Sequence, residues 1–344
     1  MRFSLLFFAT GDHAAEQYRL LLQAARAADE AGLEAVWMPE RHFHPFGAPF
    51  PNPAVTAAAV AAVTSRVQIR AGSVVLPLHD PLRVVEEWSV VDQLSGGRVG
   101  LAFASGWNPT DFVLAPQNFA DRRRILREQI DEFTALWASE SVERAGPDGA
   151  ATEVSTYPRP VRDRPPLWLT AAGSPATFGL AGELGAGVLT HLLGQSFDRL
   201  AENLADYGDA IERHGHGAGA ERVALMLHTL VSDSEEHAHA LAREPLTAYL
   251  RSSMDLFSVN RPGSPTADQL TEAELAELLD HTYRDFTADR CLIGSVDSCI
   301  PVVQRVAELG VDEIACLIDF GVGTDDVLSA IKSLTELQRR CADL

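Results

Sequence analysis

Residues 37–47 read WMPERHFHPFG: a short apolar run, 35–38, delivers a charged and imidazole-bearing tip, Glu40-Arg41-His42-Phe43-His44. In parallel α/β proteins, side chains that do chemistry project from loops at the carboxyl ends of strands, because the sheet fixes them while the loop varies. Outward from this stretch the same unit repeats. Upstream, 2–8 is a buried strand and 16–31 carries apolar residues at helical spacing until Gly32 stops it. Downstream come an Ala-rich helix at 54–64, a strand at 67–76, a helix at 81–94 with Pro81 in its first turn, and a strand at 99–104. A helix at 118–139 is followed by strand 167–171, helix 175–184, strand 186–192, helix 197–214 and strand 223–231; helix 296–309, strand 313–318 and helix 325–340 close the chain. Eight strands alternating with helices predict a single (β/α)8 TIM barrel spanning 1–344 as one α/β domain. Two excursions interrupt it: a Pro- and Gly-rich hairpin at 141–166, after the fourth strand, and a polar helical insertion at 232–290, after the seventh, broken at 261–265.

A formal net charge of −20 and a pI near 4.9 oppose binding to a phosphate backbone or an anionic membrane surface. No apolar run reaches the roughly 18 residues that a bilayer span needs. Residues 3–9 are apolar but lack a basic flank, so they read as a first strand and not a secretory signal. Cys291, Cys299, Cys316 and Cys341 show no CxxC spacing, which fits reduced thiols in the cytoplasm. No histidine pair has metal-ligand spacing with a carboxylate placed to help, so no metal is expected; His237 and His239 read as solvated, and His13, His228 and His281 have no partner visible in the sequence.

WMPERHF, the segment AGSVVLPLHDPLRVVEEWSVVDQLSGGRVGLAFASGWNP at 71–109, and LTAAGSPATF at 169–178 together resemble the bacterial luciferase-like monooxygenases. SGWNPTDFVLAPQNFADRR and VLTHLLGQS are similar to the branch associated with natural-product gene clusters. The resemblance implies a barrel that takes reduced FMN from a separate flavin reductase, reacts it with oxygen, and uses the peroxy species on a small-molecule or carrier-protein-bound substrate. No GxGxxG motif supplies a second nucleotide site within the chain.

His42 stands where this family carries a histidine that assists the chemistry, with Arg41 before it in place of a second histidine. An imidazole can donate to a developing anion and accept a proton later. Arg41 makes the local field positive, which would stabilise an anion, and Glu40 is expected to pair with Arg41 or another barrel cation. Phe43, His44 and Phe46 are candidates for the substrate pocket, with loop packing the rival role; Trp107 and Asn108 are expected at its mouth. Gly72 and Ser73 occupy the family position where backbone packs on the flavin ring, in some members through a non-proline cis peptide, and Ser105 and Gly106 complete that cradle. Ala172, Gly173, Ser174 and Thr177 open a helix whose free amides and dipole favour a phosphate; the arginine that luciferase carries near Ser105 is absent. His191 is the second catalytic candidate. His79 reads as a cap for the next helix, and Arg122–Arg124 as a solvated face. Two alternatives stay open: a deazaflavin-dependent hydride transferase on the same barrel, and a flavin-binding protein without catalysis. The alanines of 53–64 would admit a close partner helix, so a homodimer is expected.

Overall fold

The computed structural model describes residues 1–8, 14–45, 47–217, 222–258 and 269–344, without the side chains of 253–258. His13, Phe46 and the break at 261–265 lie outside the described residues. Strands β1 (Arg2–Leu6), β2 (Ala35–Met38), β3 (Gln68–Val75) and β4 (Val99–Ala104) alternate with helices α1 (Ala14–Ala31), α2 (Pro53–Ala61) and α3 (Pro81–Ser95), and α4 (Arg122–Trp137) follows β4. The first excursion is the antiparallel hairpin β5 (Val142–Ala145) and β6 (Ala151–Val154). Then come β7 (Leu167–Ala171), α5 (Pro175–Glu183), β8 (Gly187–His191), α6 (Phe197–Arg213) and β9 (Val223–Ser232). The second excursion holds α7 (Glu235–Ser258) and α8 (Glu272–Asp289), and β10 (Leu292–Ser295), α9 (Val296–Glu308), β11 (Glu313–Leu317) and α10 (Thr324–Arg340) complete the chain.

The ring runs β1-β2-β3-β4-β7-β8-β9-β11 and closes through β11–β1, all parallel. This is the eight-stranded closed barrel expected from the sequence. One strand was not foreseen: β10 pairs with residues 229–232 of β9, beyond the part of β9 that lies in the ring. At four residues between two helical stretches it leaves no periodic signal of its own.

Residues paired across parallel strands point the same way, so contacts between non-adjacent strands identify the lumen. Arg70 on β3 reaches Glu313 on β11, and Ser73 reaches Thr170 on β7 at 2.7 Å, in both cases past intervening strands. By register, Ser4, Leu189, His191, Met226, His228 and Leu317 share that interior. The lower lumen is filled by a buried network. Glu313 accepts from Arg70 at 2.7 Å, Ser4 at 2.5 Å and Trp37 Nε1 at 3.0 Å, while Arg70 lies 4.9 Å and 4.6 Å from the rings of Trp37 and Trp168.

Candidate active site at the carboxyl end of the barrel

The tip after β2 is held by its neighbours on both sides. Arg41 N donates to Phe50 O, and Asn52 caps α2 by accepting from Ala54 N at 2.9 Å, with Pro53 supplying the preset first-turn φ. Inside this frame Glu40, with its side chain only 1 % exposed, is the hub. Its Oε1 stands 2.7 Å from His42 Nε2 and 2.5 Å from His79 Nε2, and its Oε2 accepts from Val75 N at 2.7 Å. Burial pushes the Glu40 carboxyl up, but the three donors and the charge of His79 outweigh it and hold the group below its ordinary value. His79 shows the converse: burial lowers its pKa, Glu40 overrides this, and the net shift is upward. An ionised carboxylate only accepts, so both Nε2 atoms carry hydrogen and Nδ1 is the unprotonated nitrogen of a neutral His42.

Three expectations are corrected here. Of the two pairings expected for Glu40, the one with Arg41 is not made, because Arg41 turns to Asp111; Glu40 takes His42 and His79 instead. His79 does not cap α3; Asp80 does, accepting from Leu82 N at 2.9 Å. The carboxylate that no histidine pair was expected to have is Glu40, and potential metal-ligating atoms of Glu40, His42 and His79 lie within 4.8 Å of one another. His79 comes from a tip 39 residues on, a proximity only the barrel creates.

Gly72–Ser73 is a non-proline cis peptide at a register shift in the β3–β4 pairing. A Cβ on Gly72 would stand 3.1 Å from Trp37 and 3.4 Å from Leu189, so the position accepts nothing larger than glycine without displacing the lumen. Gly106, at φ +75°, is pressed likewise by Phe112 and Val75, and Arg122 Nε donates to its carbonyl at 3.1 Å. Arg122 is therefore a clamp on the loop after β4, and of the three arginines only Arg123 and Arg124 face solvent. Ser105 Oγ is directed at Gly106 O at 3.5 Å.

Ser174 is the N-cap of α5, yet its hydroxyl makes no cap hydrogen bond, and Gly173 turns the chain at φ +96°. Gln195 braces this turn: its Nε2 donates to Thr190 Oγ1 and His191 O, while Asn203 Nδ2 reaches both Gln195 Oε1 at 3.3 Å and Gly173 O at 3.4 Å. Gln195 lies in the motif that carried the resemblance but was given no role, and Asn203 was not singled out. Ala172 is exposed, and Thr177 half-buried.

His191 ends β8 facing the lumen, its Nδ1 accepting from Leu193 N at 3.2 Å; burial lowers its pKa to about 4. His228, without a partner in the sequence reading, proves to be its lumen neighbour. It is wholly buried, with burial and His191 depressing its pKa to about 3, and it packs against Tyr249 of α7, Phe286 of α8 and Phe320. The second insertion thus roofs one sector of the mouth. His239 is not simply solvated either, since its Nδ1 meets Tyr283 Oη at 2.9 Å between α7 and α8.

The pocket candidates divide. Phe43, at φ 52°, is 60 % exposed beside the His42 ring, and His44 is half-buried. Trp107 is half-buried over Arg41, at 5.1 Å. Asn108, beside it, is buried, donating to Asp111 Oδ1 at 2.8 Å and accepting from Thr110 N.

A flavin fits this arrangement. Small residues hold the β3 bulge open toward the lumen, and a helix N-terminus with an unspent hydroxyl stands two strands round the ring. Fold and site together define an oxidoreductase barrel of the luciferase type. The family described as luciferase-like monooxygenase matches residues 1–313, and the chain belongs to it. A 4-hydroxyprotoasukamycin monooxygenase from Streptomyces nodosus subsp. asukaensis is 31 % identical over 83 % of this chain and 76 % of its own. Among solved structures, the oxygenating constituent of 3,6-diketocamphane monooxygenase from Pseudomonas putida, in complex with FMN, superposes with a TM-score of 0.75 at 19 % identity over 98 % of this chain and 96 % of that one. An F420-dependent secondary alcohol dehydrogenase shares the fold as well, with a TM-score of 0.71 at 17 % identity over 98 % and 97 % of the two chains.

Proposed function

We propose that the chain is the oxygenase component of a two-component system that uses reduced FMN from a separate reductase. It inserts one oxygen atom, by hydroxylation or Baeyer–Villiger oxidation, into a natural-product intermediate that is free or carried on a carrier protein. The observation that carries this reading is the juxtaposition of the Gly72–Ser73 bulge, the Glu40–His42 pair and the open N-terminus of α5 on one barrel end. When bound, reduced flavin supplies the electrons that activate dioxygen. Gly72, Ser73, Ser105 and Gly106 line the ring, and Gly173, Ser174 and Thr177 hold the phosphate. Glu40 fixes His42 so that Nδ1 is the atom that takes up a proton, and Nε2–H keeps the ring from turning. His191, kept neutral by burial, serves as a polar contact in place of a charged one.

The test is anaerobic titration with reduced FMN followed by rapid mixing with oxygenated buffer. Reoxidation that follows the time course of free flavin would sink the proposal. The shared fold of the F420-dependent enzyme makes hydride transfer the rival, and competition between FMN and F420 for the chain separates the two. Exposed Val55 on α2 and Val90 and Leu94 on α3 support a homodimer through these helices; sedimentation as a monomer at micromolar concentration would remove it. Four free cysteines favour a reducing compartment such as the cytoplasm.

A further inference from the structure

Arg41 is a buried cation whose hydrogen bonding is incomplete. Its side chain is 4 % exposed, and its one ion pair among the described residues is a 3.5 Å contact from Nη1 to Asp111 Oδ2. Nε and Nη2 have no hydrogen-bond partner among the described residues. Asp111 meets the fork through Oδ2 alone, while its Oδ1 accepts from Asn108 Nδ2 at 2.8 Å. The guanidinium is otherwise firmly placed. Trp107 covers it at 5.1 Å, and Gly47, at φ +84°, passes so close that a Cβ there would stand 2.8 Å from Arg41 Cγ. A guanidinium keeps its charge when buried, so unmet donors are costly unless a complementary acceptor completes them. The acceptor that matches a planar fork is a two-oxygen anion.

We infer that Arg41 is a specificity-determining residue that binds a carboxylate on the substrate, next to the proton-handling His42. The inference rests on the substrate site proposed above. Flavin phosphate offers the same oxyanion chemistry, but the turn suited to it follows β7, three strands round the ring from the tip after β2. Asp111 and Asn108 then act as positioning residues that keep one edge of the fork free.

Calorimetric titration of the flavin-free chain with benzoate against benzamide, and with octanoate against octanamide, tests this without turnover. At least one carboxylate is expected to bind about tenfold or more tightly than its amide. Arg41→Met should abolish that preference and Arg41→Lys restore part of it. If neither carboxylate outbinds its amide in the unaltered chain, or if the preference survives in Arg41→Met, the inference is overturned. The comparison within the unaltered chain stands even if Arg41→Met fails to fold. A second arm compares FMN with riboflavin: a loss confined to FMN in Arg41→Met assigns Arg41 to the flavin phosphate and overturns the substrate role. Carboxylate preference with no capture of reduced FMN would leave Arg41 an anion site and sink the monooxygenase reading instead.

Discussion

The two ends of the barrel each bury an arginine and treat it oppositely. In the lower lumen, Arg70 and Glu313 form a 2.7 Å pair, Ser4 and Trp37 meet the second carboxylate oxygen, and Glu34 takes another guanidinium nitrogen at 3.0 Å. At the mouth, Arg41 leaves two nitrogens unmatched, and His228 has no hydrogen-bond partner for either ring nitrogen among the described residues. A buried polar group that is fully matched rigidifies; one left unmatched raises the free energy of the chain until something else completes it. The closed end therefore reads as scaffold and the open end as site, in keeping with the division of labour in barrels of this type.

The largest expected effect lies at the closed end. Burial pushes the Glu313 carboxyl up, and Arg70 with the hydrogen-bond donors more than reverses it, holding the group ionised. Glu313→Gln leaves Arg70 without its buried counter-ion and should cost about 3–5 kcal/mol in urea unfolding. Reduced-FMN affinity, measured below the unfolding transition, should hardly change. If instead flavin binding collapses while stability holds, the assignment of the two ends is the wrong way round.

Glu40→Gln probes the mouth in the same way with the opposite emphasis. The amide keeps one acceptor where the carboxylate served three donors, so a stability loss of about 1–3 kcal/mol is expected, together with a marked change in flavin reoxidation. The pH dependence follows from the shifts. Glu40, depressed from 4.5, contributes stability present above that value and lost as pH falls through its folded pKa. His79, raised from 6.5, contributes stability present below that value and lost as pH rises through its folded pKa. The difference between unaltered chain and variant should thus be greatest between pH 4.5 and 6.5. A difference independent of pH would deny the hub its ionic character.

How far this contrast was legible in the sequence depends on distance along the chain. The ring strands announced themselves as apolar runs, and Glu40 and His42, two residues apart, were visible as one tip. His79 was visible only as a residue before Asp80-Pro81, a helix-start signal that concealed its place at Glu40. Arg122 looked like its neighbours Arg123 and Arg124, because nothing local distinguishes a clamp on Gly106 from a solvated cation. His228 sits in VALMLHTLVS, where alternation marks a face but not what covers it. Its cover comes from α7, α8 and the turn after β11, up to 92 residues away. Adjacency in sequence is readable; adjacency made by ring closure is not.

His228 offers a sharper test of the roofed sector. With its folded pKa near 3 and an ordinary value of 6.5, the unfolded chain binds the proton that the folded chain refuses. Stability should fall as pH drops from 6.5 toward 3, at about 1.4 kcal/mol per unit from this group. His191 adds a similar term down to about pH 4. His228→Phe, which suits the surrounding rings, should flatten part of this slope at little cost at neutral pH. An unchanged acid slope would mean that His228 reaches a proton-accepting environment in the folded state.

The smallest effect on stability is expected at Ser174, and it separates site from scaffold within a single residue. Losing an N-cap hydroxyl ordinarily costs about 1 kcal/mol, because the side chain satisfies an amide of the first turn. Here the Ser174 hydroxyl makes no such bond, while Pro175, which has no N–H to satisfy, supplies the first helical residue. Ser174→Ala should therefore shift the unfolding free energy by less than about 0.5 kcal/mol. If the turn holds a phosphate, the same change should weaken FMN about tenfold and leave riboflavin, which lacks the phosphate, nearly unaffected. Equal losses for both flavins would place the hydroxyl against the ring system. A full capping loss in stability would show that it serves the helix, and the unmatched groups of the open end would then exclude this turn.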